Sequence, residues 1–276
     1  MSINIWGLDL LDDYLENTQR DYLLSLPKSL PENKWVWLEM DRIWDNYGLD
    51  NKKPFSEQDI GAFYGHPVWI MNGLYSETDP ESISHRISIS NYLIENKITQ
   101  FADYGGGSGA TASQIAKSTS SMSIDIVEPY ATDFFKSKLS CYENINFIPK
   151  FRINDYDAIL VQDVLEHVEN PIETAYDISC NVREGGLVIF ANCFYPVIKC
   201  HLPSTFYLRY TFKWIMSRMG LHYVGKIPGA EHAVVFRRQE KPELEKALTL
   251  SSRVRMIGLV INILAPIAGR IKRLFK

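Results

Sequence analysis

Ten consecutive residues, Phe101-Ala102-Asp103-Tyr104-Gly105-Gly106-Gly107-Ser108-Gly109-Ala110, carry the pattern around which the chain is organised. An apolar lead-in ends in an acid, four glycines follow, and the run from Ala110 to Lys117 favours helix. That order describes a strand, a turn without side chains, and a helix whose free N–H groups face the turn. Such a turn admits a ligand to within van der Waals reach of the backbone. Gly105-x-Gly107-x-x-Ala110 satisfies the dinucleotide fingerprint, so a nicotinamide or flavin cofactor is compatible with the glycines alone. Asp103 points elsewhere. An acid two residues before the first glycine repels a pyrophosphate and suits a cationic ligand carrying an amino group.

Three further stretches hold candidate chemistry. Ser123 to Tyr130 reads as a second strand ending in Glu128, 23 residues after Gly105, a spacing that sets its carboxylate beside a ligand's ribose in a βαβ unit. Tyr156 to Val161 reads as an apolar strand passing into Gln162-Asp163-Val164-Leu165-Glu166-His167-Val168. Val182 to Phe190 contains a Gly185-Gly186 turn feeding another strand, after which Asn192-Cys193-Phe194-Tyr195-Pro196 and Lys199-Cys200-His201 lie beyond its carboxyl end, where ligands bind in open α/β sheets. Asp155, Asp157, Asp163, Glu166 and His167 do not read as a metal set, because strand alternation sends neighbours to opposite faces. No metal is expected.

Asp103-x-Gly105-x-Gly107-x-Gly109, Glu128, the Asp163 to Val168 wording and the Gly-Gly turn together resemble class I S-adenosylmethionine (SAM)-dependent methyltransferases over roughly residues 80 to 236. The resemblance implies a Rossmann-like, seven-stranded α/β sheet with helices on both faces and SAM as cofactor. Carried onto this sequence, it places Asp103, Gly105, Gly107, Gly109, Glu128, Pro129 and Asp163 around the cofactor. Arg86, seventeen residues before Asp103, matches an arginine that binds the SAM carboxylate in ubiquinone-biosynthesis O-methyltransferases; a solvated helix arginine is the alternative. The resemblance makes His167 the first candidate base and His201, ahead of a helix from Phe206 to Gly220, the second. Glu231 and His232 fall in the turn of a closing hairpin, Leu221–Ile227 with Ala233–Arg237. The stretch Lys150 to Asp155 departs from the family pattern and leaves the adenine contact unassigned.

The elements that must position these residues come from the rest of the chain. At 276 residues with net charge −4, 46% hydrophobic and 12% aromatic content, the chain suits an ordinary globular protein and gives no argument for a nucleic-acid partner. Four cysteines without CxxC or zinc spacing read as reduced thiols in a cytoplasmic protein, and the acidic stretch Met1 to Asp13 does not read as a secretory signal.

Residues 1–78 form the expected N-terminal cap of two or three helices, with Leu10, Leu11, Tyr14 and Leu15, then Trp37, Met40, Ile43, Trp44 and Tyr47, at helical spacing. Five of six tryptophans precede residue 97, as core or as an acceptor pocket, and Phe63 to Ile70 with His66 reads as a lid or a core plug. Residues 79–238 form the catalytic domain, opening with an Asp79-Pro80 helix start and a face of Ile83, Ile87 and Ile94.

Residues 239–276 read as a linker and a basic amphipathic segment. Between Ser251 and Lys276 there are six bases and no acid around the apolar run from Met256 to Gly269. This suits a helix on an anionic membrane surface, or a tail docking on a partner or a second copy. The expected function is therefore O-methylation of a small molecule, glycan or lipid-linked saccharide of the cell envelope, at the cytoplasmic face. An NAD(P)-dependent oxidoreductase and a catalytically silent member of a membrane biosynthetic complex are the alternatives.

Overall fold

A computed structural model describes residues 2–151 and 155–274, with Leu11, Asp12 and 266–274 described by backbone alone. The chain opens with a hairpin, β1 (Ser2–Ile5) and β2 (Leu8–Leu11), then α1 (Asn17–Leu24), α2 (Asn33–Asn46), α3 (Glu57–Tyr64), α4 (Val68–Thr78) and α5 (Pro80–Glu95). The alternating part follows: β3 (Gln100–Tyr104), α6 (Ala110–Ser118), β4 (Ser123–Val127), α7 (Asp133–Leu139), β5 (Ile145–Ile148), β6 (Tyr156–Gln162), α8 (Pro171–Cys180) and β7 (Val182–Ala191). The chain closes with α9 (Leu208–Met219), β8 (Leu221–Ile227), β9 (Ala230–Arg238) and α10 (Leu244–Leu274).

Seven strands form one sheet in the order β5-β4-β3-β6-β7-β9-β8. The first five run parallel, and β9 pairs antiparallel with both β7 and β8. The direction of winding reverses between β3 and β6, so a crevice opens beyond their carboxyl ends. β6 sits at the centre, and its Ala158-Ile159-Leu160-Val161 are fully buried, as a parallel strand covered on both faces requires. Two hydrophobic clusters lie on the two faces: one around Ile159, Val188 and Ile215, the other around Phe101, Ile124 and Leu160.

A third cluster fills the N-terminal part. Trp44, Phe63, Met71 and Leu74 pack there with Phe134 and Phe135 of α7 and with Cys200. This region is not purely helical. Leu8 to Leu11 pair with Ser2 to Ile5 as a two-stranded hairpin turning at Trp6-Gly7, both at positive φ. The helical spacing of Leu10 and Leu11 is therefore incidental, and four helices follow rather than two or three.

Two other expectations are corrected. α5 starts as expected, with Asp79 accepting from Ser82 N–H, but its inward face is Arg86, Ile89, Ser90 and Leu93, while Ile87 and Ile94 are exposed. The Gly185-Gly186 turn lies within β7, as an irregularity between the pairs Tyr156↔Val182 and Ala158↔Leu187.

Only 239–243 remain as linker. From Leu244 the chain is helical, and Ala247, Ser251, Val254 and Gly258 are buried against the core. Ser251 bonds the Tyr207 hydroxyl at 2.6 Å, and Asn262 donates to the Phe206 carbonyl. At Gly258 an added Cβ would stand 2.3 Å from the Tyr207 carbonyl oxygen, so only glycine lets α10 approach the start of α9 this closely. Gly258→Ala is expected to cost about 2 kcal/mol and lower the melting temperature by about 5 °C, measured by thermal circular dichroism. An unchanged melt would mean that α10 does not pack there.

Candidate active site

The crevice beyond β3 and β6 is one cleft of about 1680 Å³. At one end is the glycine turn. Gly105, Gly107 and Gly109 all adopt left-handed φ, of 71°, 51° and 71°. A Cβ at Gly105 would lie 2.5 Å from Val164 and one at Gly109 2.4 Å from Leu139, so both positions exclude side chains by conformation and by space. Gly109 directly precedes α6, whose first residues Ala110 and Thr111 line the cleft.

Asp103, near the carboxyl end of β3, is 3% exposed. Burial, then the neighbouring negative charge of Glu128, pushes its carboxyl up to about 7. Glu128 follows β4 and accepts from Gly107 N–H (3.1 Å) and Tyr130 N–H (3.0 Å), which fixes its carboxylate against the turn. Burial raises its pKa while these two bonds lower it. Pro129 also lines the cleft, and Tyr130 beside it stacks on Tyr64 of the cap at 5.6 Å. Phe63 to Ile70 thus roofs this end, yet His66 accepts from Val68 N–H through Nδ1 and caps α4.

Arg86 is 7% exposed, not solvated. It lines the cleft and donates to Ser76 at 2.9 Å; burial lowers its pKa while Glu77 and Asp79 oppose that.

The other end belongs to the loops after β6 and β7. Asp163 ends β6 at φ 51°, a strained conformation for a residue with a Cβ. Asp163 is solvent-exposed, although the cleft walls around it raise its carboxyl above the ordinary value. Asn192 accepts from Val164 and Leu165 N–H, and Cys193 N–H donates to Glu166, so the two loops hold each other. This joins residues that sequence separates. His167 and His201 meet edge to face with ring centroids 4.9 Å apart. His167 Nδ1 lies 3.1 Å from the Cys200 carbonyl and His201 Nδ1 2.9 Å from the Tyr195 carbonyl. Burial, then His201, lowers His167 to about 3, and burial lowers His201, so both imidazoles are neutral near pH 7.

Glu166 is fully buried, and burial followed by Asp163 raises it to about 8. Of the acids weighed above, Asp157 lies at the opposite end of β6, held by Thr99, Gln100 and Arg183. Glu166 and His167 instead join His201, a grouping that strand alternation does not govern because it forms in loops.

Sequence reasoning missed the residues that hold His201. Asp41 accepts from Lys199 N–H (2.6 Å), Asp45 accepts from its ammonium (2.5 Å), and Asn51 donates to its carbonyl (2.6 Å). The cap therefore grips the loop two residues before the histidine. No spacing signal announces contacts about 150 residues apart. Trp69, read with the other N-terminal tryptophans as core or acceptor pocket, packs edge to face on His167 at 6.4 Å, and its buried Nε1–H has no hydrogen-bond partner. Glu231 and His232 line the outer cleft, where His232 packs on His85 at 4.5 Å.

The comparison with solved structures now decides the fold. An O-methyltransferase family protein from Burkholderia thailandensis matches with TM-score 0.54 at 10% identity, over 83% of this chain and 77% of the other. Human N-acetylserotonin methyltransferase, solved in complex with SAM, matches with TM-score 0.54 at 16% identity, over 83% and 74%. The chain has the class I methyltransferase fold. No family model matches it, and no curated protein matches it. Within the methyltransferase fold, the glycine turn and Glu128 occupy the ends of the first two parallel strands, and the histidines the loops after the fourth and fifth.

Proposed function

We propose that this chain is a SAM-dependent methyltransferase acting on an oxygen of a small molecule, glycan or lipid-linked saccharide. The observation that carries the reading is buried Asp103 beside the left-handed glycine turn, with Glu128 held against the same turn. A carboxylate at low dielectric with no cation beside it among the described residues favours a ligand that brings one, and the methionine ammonium does so. A dinucleotide would instead place a pyrophosphate against Asp103. Arg86 suits the methionine carboxylate, Glu128 the ribose hydroxyls, and Pro129 the adenine edge. The histidine end of the cleft then receives the acceptor. Methyl transfer from a sulfonium is an in-line displacement that mainly demands alignment of oxygen, methyl and sulfur. His167 and His201 present neutral imidazoles there, each with Nδ1 engaged by a carbonyl, so Nε2 is left to accept from an acceptor hydroxyl. Trp69 Nε1–H offers a donor to the same substrate.

The membrane reading belongs to α10. Leu244–Ala265 is long and apolar enough by length and composition to cross a membrane, with mean hydropathy 1.4. Its inner face is engaged with the core, which favours lying on a surface over spanning. Met256, Ile257, Val260, Ile263 and Leu264 are 48–68% exposed, next to Arg253 and Arg255, and the sequence adds four bases from Arg270 onward. Full-length protein is expected to sediment with phosphatidylglycerol vesicles at low salt and much less with phosphatidylcholine. Ile257→Asp with Ile263→Asp should abolish the sedimentation while leaving the melt intact. Binding retained by that variant would refute the surface role and turn attention to a protein partner. Such a placement suits a cytoplasmic-face enzyme acting on an envelope precursor.

Parallel calorimetric titration with SAM, S-adenosylhomocysteine and NAD tests the cofactor; binding of NAD, or of none of them, would overturn the reading.

A further inference from the structure

The geometry points to a divalent metal site at the acceptor end of the cleft, formed by Glu166, His167 and His201. Each residue offers one ligand atom, and these atoms all lie within 4.8 Å of one another. A tetrahedral shell of ligands about 2.0–2.1 Å from an ion spaces them by roughly 3.4 Å, which small side-chain adjustments reach.

Two features of the cluster suit a metal better than a plain polar core. The first is the tautomer of the histidines. Both engage a backbone carbonyl through Nδ1, at 3.1 Å for His167 and 2.9 Å for His201, which leaves the Nε2 lone pairs free. Metal-binding histidines are oriented in this way. The second is Glu166, fully buried, whose Oε1 accepts from Cys193 N–H while Oε2 has no hydrogen-bond partner. A buried carboxylate oxygen without a hydrogen-bond partner, grouped with two imidazoles whose Nδ1 atoms are already engaged, is a set that a cation can satisfy, its binding displacing any proton on the carboxyl. Asp163, nearby on the cleft wall, adds a further negative charge.

The donor set fixes the class of ion. Two imidazoles and one carboxylate suit zinc or its borderline neighbours iron(II) and cobalt(II), not an oxygen-only ion such as magnesium. Three protein ligands leave a position open, and His167 and His201 both line the cleft, so that position faces the acceptor. The use of the site rests on the methyl-transfer reading; its ability to bind metal does not. With both Nε2 atoms on the ion, the ion would replace the imidazoles as the activating group: an acceptor hydroxyl bound to it would release its proton to solvent more readily. The resulting oxyanion forms the O–CH3 bond as the C–S bond breaks, and the electron pair of that bond returns to sulfur, leaving a neutral thioether.

The full-length chain, stripped with a chelator, should bind one zinc ion per molecule in calorimetry without SAM present, and its cobalt(II) form should show visible d–d absorption. His201→Ala and Glu166→Gln should each weaken zinc binding on the order of a hundredfold. Glutamine preserves the bond to Cys193 N–H, so Glu166→Gln carries the test if His201→Ala does not fold. Absence of stoichiometric zinc binding by the native chain, or unchanged affinity in Glu166→Gln, would overturn the site. SAM titrated into the same preparation separates the two claims: SAM binding without zinc binding rejects the metal site alone, and zinc binding without SAM binding supports the site while rejecting the methyl-transfer reading.

Discussion

Replacing Asp103 by Asn is expected to weaken SAM binding by about a hundredfold, or about 3 kcal/mol, with little change in the cap or the sheet. The side chain is buried at the end of β3, so an ammonium paired with it is shielded from solvent, and the amide keeps the shape while losing the charge. The same residue sets a pH dependence. Its carboxyl, held near pH 7 in the free protein, lies above the ordinary aspartate value near 4. Without ligand the folded state binds the extra proton across that window, so this group's contribution to stability falls as pH rises from about 4 to 7 and is flat above. A bound ammonium favours the carboxylate, so affinity should rise with pH by up to about tenfold per unit below 7 and level off above it. Calorimetry from pH 5.5 to 8.5 reads both. Asp163 titrates in the same cleft and Glu166 in the core behind it, and the Asp103→Asn variant isolates their share. A slope identical in that variant would remove Asp103 from the ligand.

His167→Ala and His201→Ala are each expected to lower methyl transfer by about 10²- to 10⁴-fold while leaving SAM affinity within a few-fold. The two rings touch and share the loops fixed by Asn192 and Glu166, so they act as a unit. The double variant should therefore be little worse than either single one. Transfer of labelled methyl to the acceptor, with SAM titration in parallel, separates the two effects. Turnover untouched in both single variants would make the pair structural.

How much of this could be read from the sequence followed from how local each constraint is. The glycine turn was legible because left-handed φ and the absence of room at Gly105 and Gly109 demand a residue type, not a neighbour. Strands β3, β4, β6 and β7 were legible because an apolar strand covered on both faces leaves a continuous signal, and Asp79-Pro80 announces a helix whatever it packs on. The hairpin at Trp6-Gly7 was not: strands of four residues carry too few alternations to outweigh leucines that also fit a helix. The inward face of α5 was misjudged because burial there is earned by a cleft residue, Arg86, while Ile87 and Ile94 face outward. Nothing in the apolar run marks Asn262 as the residue that docks α10 on the Phe206 carbonyl. The meeting of His167 with His201, and the grip of Asp41, Asp45 and Asn51 on that loop, depend on chain segments 34 to about 150 residues apart, which no local pattern encodes.

The central claim is that the cleft beyond β3 and β6 was built for a cationic, carboxylate-bearing nucleoside. Titration calorimetry of the purified chain with SAM, S-adenosylhomocysteine and NAD addresses it most directly. The expected result is one site per chain for the first two and no heat from NAD. NAD binding, or no binding by any of the three, would contradict the assignment of Asp103, Arg86 and Glu128.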